Sequence, residues 1–301
     1  MNGKVLVVCG ATASGKTSLA IECAKRFNGE IISADALLVY QGLDIGTAKP
    51  TMAERDGILH YMIDVVCPNE NFSVSDYERM ALPIVERLLK EGKTPIICGG
   101  TGFYIQSLLY KSQFGGAGAD IAVREKYENL YKEHGAQYVH DLLRKVDNES
   151  AEKLHANDVK RVIRALEIYE VTGKPKSLQN DQQIPRFPFV AVSIAHEREV
   201  LYQRINARVE QMFTDGLIDE VQGLLASGVS PTAQCMQGIG YKEIVEGMQT
   251  GMTVEEMVEI IQKNTRNYAK RQNTFFKRMQ NHYTLQPDEA TPSRVATLLN
   301  G

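Results

Sequence analysis

Four short β-rich runs punctuate the chain: Val5–Cys9 (VLVVC), residues 30–34 (EIISA), residues 94–98 (TPIIC) and Phe189–Ile194 (FVAVSI). Helical stretches separate them, with apolar positions recurring every three or four residues. Strands that are apolar at nearly every position read as buried on both faces. The pattern therefore predicts an α/β fold, a parallel sheet flanked by helices. Residues 77–91 carry helical periodicity and stop at Gly92, a C-cap signal, and residues 103–110 form a shorter helical stretch. A glycine-rich segment, 113–118, then breaks the pattern. From 122 to about 172 the chain is charged, helical and free of strand signals, and residues 174–188 carry three prolines before the last β-rich run. These shifts predict one α/β core, residues 1–112 and 187–301, interrupted by an all-helical insertion, 113–186. From Arg198 to the end the pattern reads as helical, punctuated by Gly216, Gly228 and Gly240.

The turn after the first run is the sharpest chemical signal. Gly10-Ala11-Thr12-Ala13-Ser14-Gly15-Lys16-Thr17 matches G-x-x-x-x-G-K-[ST], a strand-to-helix loop whose backbone N–H groups wrap phosphate oxygens. Lys16 would reach a terminal phosphate, and Thr17 would offer its hydroxyl to Mg²⁺. The following helix, roughly 16–27, would aim its positive end at the same anion. This gives the expected sheet a P-loop NTPase-like character.

Two further turns lie at the carboxyl edge of the same sheet, where open α/β folds bind ligands. Asp35 follows the second run and reads either as a base or Mg²⁺ ligand, or as an N-cap aspartate. Gly99-Gly100-Thr101-Gly102 follows the third run and reads either as a close backbone approach with a hydroxyl donor, or as a tight turn. Ile45-Gly46-Thr47-Ala48-Lys49-Pro50 reads by itself as an exposed turn with a solvated lysine.

Composition adds limits. The 301 residues are 43% hydrophobic and 24% charged, ordinary for a globular protein. No apolar run approaches the length of about 18 residues that suggests a membrane span. The chain enters a strand at once with no signal-peptide pattern, and its five cysteines are dispersed. Together these predict a reduced, cytoplasmic protein without disulfide framework or zinc site. A net charge of −3 gives no global case for nucleic acid. The C-terminal part gives a local one. Residues 261–282 contain no acidic residue, and Lys263, Arg266, Lys270 and Lys277 fall at helical spacing beside Arg271, Arg278, Tyr268, Phe275 and Phe276. Such a stripe suits polynucleotide phosphates or is simply a solvated face. In the insertion, Lys160, Arg161 and Arg164 are balanced by Glu167 and Glu170, as in ordinary helical ion pairs. Arg204 and Arg208 share one helix face after the last run and could reach the phosphate crevice.

Taken together, the stretches 10–17, 31–35, 39–40, 43–50, 99–105, 159–167, 201–220, 239–243 and 264–274 resemble the tRNA dimethylallyltransferase (tRNA isopentenyltransferase) family, in the family's order and across almost the whole chain. The resemblance implies transfer of a dimethylallyl group from dimethylallyl diphosphate to N6 of an adenosine next to the tRNA anticodon, with Mg²⁺, and implies a monomer. The P-loop residues Gly10 to Thr17, with Arg204, would hold the diphosphate. Asp35 would be the general base, Thr101 the orienting hydroxyl, and Lys16 and Arg208 the charge stabilisers. The tRNA contacts implied are Asp35, Ala36, Leu37, Leu38, Thr101, Val123, Val159, Lys160, Arg161, Val162, Ile163, Lys270 and Arg271, the insertion gripping the anticodon stem-loop.

The chain departs from the family pattern at the second strand end. The family usually has Asp-Ser-x-Gln, where the glutamine reads the target adenine; here the residues are Asp35-Ala36-Leu37-Leu38. Ala11 stands where proline is usual, Tyr61 where a second histidine is common, and Phe275 where tryptophan is common. Two alternatives follow: a P-loop kinase of a small metabolite, and a catalytically weakened tRNA-binding paralogue. The kinase is disfavoured because no strand ends in a second acidic residue suited to Mg²⁺.

Overall fold

The computed structural model describes residues 3–111, 120–178 and 184–301, so the glycine-rich break expected at 113–118 lies outside the described residues. In chain order the elements are β1 (Val5–Cys9), α1 (Lys16–Arg26), β2 (Gly29–Ser33), α2 (Met52–Arg55), β3 (His60–Tyr61), α3 (Val74–Lys90), β4 (Thr94–Gly99) and α4 (Gly102–Leu109). Helices α5 (Ile121–Val146), α6 (Asn148–Lys153) and α7 (Val159–Thr172) follow. The chain then returns through β5 (Phe189–Ile194), α8 (Arg198–Thr214), α9 (Leu217–Ala226), α10 (Tyr241–Thr250), α11 (Val254–Phe276), β6 (His282–Leu285) and α12 (Pro292–Asn300). They form two compact units, Met1–Tyr110 with Pro185–Gly301, and Lys111–Ile184.

The first unit is built on a six-stranded sheet in the order β3-β2-β4-β1-β5-β6, with every neighbouring pair parallel. Its strands are apolar on both sides because helices cover both faces. Val5, Val7 and Cys9 of β1 point into one layer with Ile32, Ile97 and Ala191. Leu6 and Val8 point into the other with Ile31, Ile96 and Val192, beneath α1 and α12. Ser73 caps α3 in a reciprocal pair with Asp76, so this helix starts before the periodicity expected at 77.

Two strands are absent from the sequence reading, which took the chain as helical after Arg198. β6 pairs with β5, and β3, two residues long, pairs with β2. Both are edge strands, short and half exposed, so they lack the buried apolar signature that marks the inner four.

The second unit is entirely helical among the described residues. Its core gathers Tyr127, Val139, Leu143, Val162, Ile163 and Leu166 from α5 and α7. Fully buried Glu167 sits beside this core. Its carboxylate accepts from the Asp120 amide at 2.8 Å and Arg124 Nε at 2.9 Å, and pairs with Arg164 at 2.7 Å. Glu170 pairs with Lys126 of α5, so the ion pairs of α7 reach across the unit as well as along the helix.

Candidate active site

The P-loop is shaped by its carbonyls as much as by its amides. Ala13 (φ 61°) and Gly15 (φ 92°) are left-handed, a conformation natural to glycine and strained for alanine. Cationic or donor groups then tie the loop's outward carbonyls: Lys16 Nζ donates to Ala11 O at 3.2 Å and Arg204 Nε to Ala13 O at 2.8 Å. His196 Nε2 does the same to Ser14 O at 2.9 Å. With these carbonyls engaged, the loop leads into the N-terminus of α1, an arrangement that can receive an anion.

The strand ends meet around a cavity of about 400 Å³, a size suited to a small organic ligand. Its lining combines Thr12, Lys16, Asp35, Thr101, Arg208 and Gln272 with apolar side chains that include Ile205, Val209, Met212, Ile239 and Ile261. Asp35 Oδ1 accepts from the Leu37 amide at 2.9 Å, which fixes the carboxylate at the end of β2. The Thr101 hydroxyl accepts from the Ala36 amide at 3.0 Å, tying the β4 turn to the β2 turn. Arg208 Nη1 donates to the Thr12 hydroxyl at 3.3 Å. Arg204, by contrast, lines an adjoining open cleft of about 750 Å³ that also contains Thr17 and Lys25.

Electrostatics point the same way. Burial pulls the Arg208 guanidinium below its ordinary value; Asp35 opposes that shift and Arg204 adds to it. Burial also pulls Lys16 down, with Arg208 adding to the effect and Asp35 offsetting part of it. Two cations held at a cost side by side become favourable once a multivalent anion lies between them. Among the described residues no cluster of three His, Cys, Asp or Glu side chains could hold a metal ion. Thr17 lines a small pocket that Lys16 and Arg208 share; its hydroxyl fits Mg²⁺ bound mainly through substrate phosphate oxygens.

Three residues carry roles that the sequence reading did not assign. Buried Gln272 of α11 accepts from the Thr12 amide at 2.9 Å and donates to Gly100 O at 3.0 Å, joining the P-loop to the β4 turn. A lone glutamine among Ile261, Ala269 and Phe276, on the buried stripe of α11, was the available signal. Tyr268 lines the cavity beside Thr101, and burial with Asp35 nearby pushes its phenol up to about 12, so it stays a neutral donor. Glu220 accepts from the amides of Asp44 (2.9 Å), Ile45 (2.6 Å) and Gly46 (3.1 Å) and from the Tyr241 hydroxyl (2.6 Å). It thereby sets the Gly46–Thr47 lip of the cavity.

Several expectations change. Lys49 is not solvated: its side chain is 6% exposed and pairs with Asp44 and Asp64, because the turn folds back onto Tyr40 O. The basic stripe runs along α11: Lys263 and Lys270 are exposed, Lys277 follows as the helical C-cap, and Arg266 is half-buried, donating to the neutral Asn206 Oδ1 at 2.6 Å. Lys270 and Arg271 remain exposed, and Arg271 lines the cavity. Ala36 and Leu37 line the large cavity, whereas Leu38 lines a small pocket of about 70 Å³ with Asp35 and Lys16. In the helical unit, Val162 and Ile163 are core residues and Val123 and Val159 pack against that core; Lys160 and Arg161 are exposed.

Substituting Gln272 by alanine leaves a buried amide and a buried carbonyl unpaired. A stability loss of about 1–3 kcal/mol is expected, measurable as a lowered Tm, together with a raised KM for the phosphorylated substrate. Unchanged stability and KM would refute the clamp.

Comparison with known proteins agrees with this architecture. The family model for IPP transferase matches residues 38–279. The chain is 48% identical over 288 residues to a tRNA dimethylallyltransferase of Acetivibrio thermocellus, covering 95% of this chain and 92% of that protein. It is 47% identical over 276 residues to a tRNA dimethylallyltransferase of Bacillus mycoides, covering 91% and 87%. Among solved structures, the full-length tRNA isopentenylpyrophosphate transferase of Bacillus halodurans superposes with a TM-score of 0.73 at 38% identity, over 99% of this chain and 97% of that one. A eukaryotic dimethylallyltransferase acting on tRNA superposes with a TM-score of 0.81 at 30% identity, over 96% and 74%. With the family model matched over most of its length and relatives this similar from end to end, the chain belongs to the IPP transferase family.

Proposed function

We propose that this protein transfers a dimethylallyl group from dimethylallyl diphosphate to N6 of an adenosine beside the anticodon of tRNA. The observation that carries this reading is the convergence of Asp35, Thr101, Lys16 and Arg208 on one cavity that also presents apolar side chains. In that arrangement the diphosphate lies on the P-loop, Gly10 to Thr17, and the prenyl chain along Ile205, Val209 and Met212. The N6 lone pair attacks the allylic carbon, the carbon–oxygen bond breaks, and its electron pair leaves on diphosphate. Asp35 accepts the N6 proton, and Thr101 positions the reacting groups. Lys16 and Arg208 stabilise the charge that accumulates on the leaving group, a preorganised electrostatic contribution. Mg²⁺, held by Thr17 and phosphate oxygens, supplies further charge neutralisation when bound.

The adenosine has to leave the anticodon stack to reach Asp35. Arg271 and Lys270 would pair phosphates of the reacting nucleotide, and Lys160 and Arg161 would pair phosphates of the anticodon stem. A cytoplasmic monomer is the form proposed; no helix among the described residues is long and apolar enough to cross a membrane.

Incubation with labelled dimethylallyl diphosphate and unmodified tRNA tests the reading: label is expected in tRNA. ATP-dependent labelling of a small metabolite would support the kinase instead. Leu38 offers no hydrogen bond to the base, and an unpaired base edge in a closed site costs about 1–3 kcal/mol. Leu38→Gln is therefore expected to raise kcat/KM for tRNA roughly 5- to 150-fold. Tight tRNA binding without transfer in both proteins would point to a non-catalytic relative.

A further inference from the structure

Phe103 stands out on α4. Tyr104, Ile105, Leu108 and Leu109 of the same helix are buried, yet Phe103 is 58% exposed, and among the described residues no other phenylalanine is as open. It sits two residues after Thr101, in the first turn of the helix. Its ring is held edge-on against Phe275 of α11, with centroids 5.6 Å apart and planes at 71°. Phe275 is braced in turn by Phe276, with centroids 5.4 Å apart. That packing is specific: a Cβ at Gly102 would come within 2.1 Å of the Phe275 ring, so only glycine lets α4 and α11 approach this closely. One turn along α11 from Phe275 lies Arg271, which lines the cavity and rests over Tyr268 at 5.7 Å. Exposed Lys270, Lys277 and Arg278 surround this end of α11, within a run that contains no acidic residue.

We infer that Phe103 is a stacking platform for an RNA base adjacent to the flipped adenosine, with Arg271 and Lys270 pairing the phosphates on either side. The chemistry of the surface argues for this occupant. An exposed aromatic ring packed on a helix end that carries Lys270, Arg271, Lys277 and Arg278 suits single-stranded nucleic acid, whose bases stack on the ring while its backbone meets the charges. A protein partner with an apolar anchor would find one ring and no surrounding groove. Flipping one nucleotide also leaves its neighbour's face without a stacking partner, and an exposed ring two residues from Thr101, which lines the cavity, can replace it. The platform acts on binding, and the chemistry stays with Asp35 and Thr101.

The inference rests on the tRNA reading above, and its test separates the two. The chain contains no tryptophan, so Phe103→Trp introduces a single reporter. Phe103→Leu keeps an apolar contact on Phe275 and removes the aromatic face. With an unmodified anticodon stem-loop as ligand, Phe103→Leu is expected to bind roughly 5- to 150-fold more weakly, with KM for dimethylallyl diphosphate unchanged. Phe103→Trp is expected to bind as tightly as wild type and to lose emission as the stem-loop is added. Wild-type affinity in Phe103→Leu, or Phe103→Trp emission that RNA leaves unchanged, overturns the platform. If wild type itself neither binds nor prenylates the stem-loop, the functional reading fails and the platform fails with it.

Discussion

Replacing Asp35 by alanine is expected to lower kcat for prenyl transfer by about 10²- to 10⁴-fold, the usual contribution of a positioned general base. Diphosphate binding is expected to survive, and the reason lies in the charge arrangement. Asp35 faces Lys16 and Arg208 and partly offsets their mutual repulsion. Removing it makes the crevice more positive, so inorganic diphosphate binds as well as before or more tightly. Calorimetric titration with diphosphate beside single-turnover transfer would separate the two effects. Near-normal turnover in the variant would mean that another group accepts the proton. A parallel loss of diphosphate affinity would instead place Asp35 in the anion site. Asp35→Asn sharpens the comparison, since it keeps the acceptor for the Leu37 amide while lacking a basic oxygen.

The second large effect is structural and lies in the helical unit. Glu167→Ala would remove the carboxylate that Arg164 and Arg124 share and leave the Asp120 amide without its acceptor. Breaking a buried charge network of this kind is expected to destabilise the unit by about 2–4 kcal/mol, the lower part of the range reflecting the partial exposure of both arginines. Thermal unfolding of the full chain should then show an earlier transition. Its pH dependence follows from the carboxyl. Burial alone would raise it, but hydrogen bonds from Arg164, Arg124 and the Asp120 amide outweigh burial and hold it below the ordinary 4.5. A carboxyl depressed on folding contributes stability above its unfolded value and loses it as pH falls toward the folded one. The stability gap between wild type and Glu167→Ala is therefore expected to be full near neutrality and to shrink below about pH 4.5. A gap independent of pH would show that lost packing, and not the ion network, carries the effect.

The sequence by itself determined the four inner strands, the phosphate loop and the helical character of the insertion. Each rests on a signal acting over a few residues: apolar runs buried on two faces, glycines where φ is positive, and amphipathic spacing. The departure at Leu38 was legible in the same way, as a single residue type in a fixed motif. Tertiary structure decided how those parts become a site. Gln272 reaches Thr12 across 260 residues and Glu220 reaches Gly46 across 174, so no local pattern names either partner. Lys49 reads as solvated because its two aspartates converge on it only when the turn folds back. The basic face of α11 shows the same division: helical spacing says which residues share it, but the neighbouring helix decides which of them it engages, as α8 engages Arg266 through Asn206. Backbone shape follows from nearby residues because steric and capping forces are short-ranged. A buried polar group takes whichever partner the packed chain brings within hydrogen-bond distance, and that is fixed only by the fold.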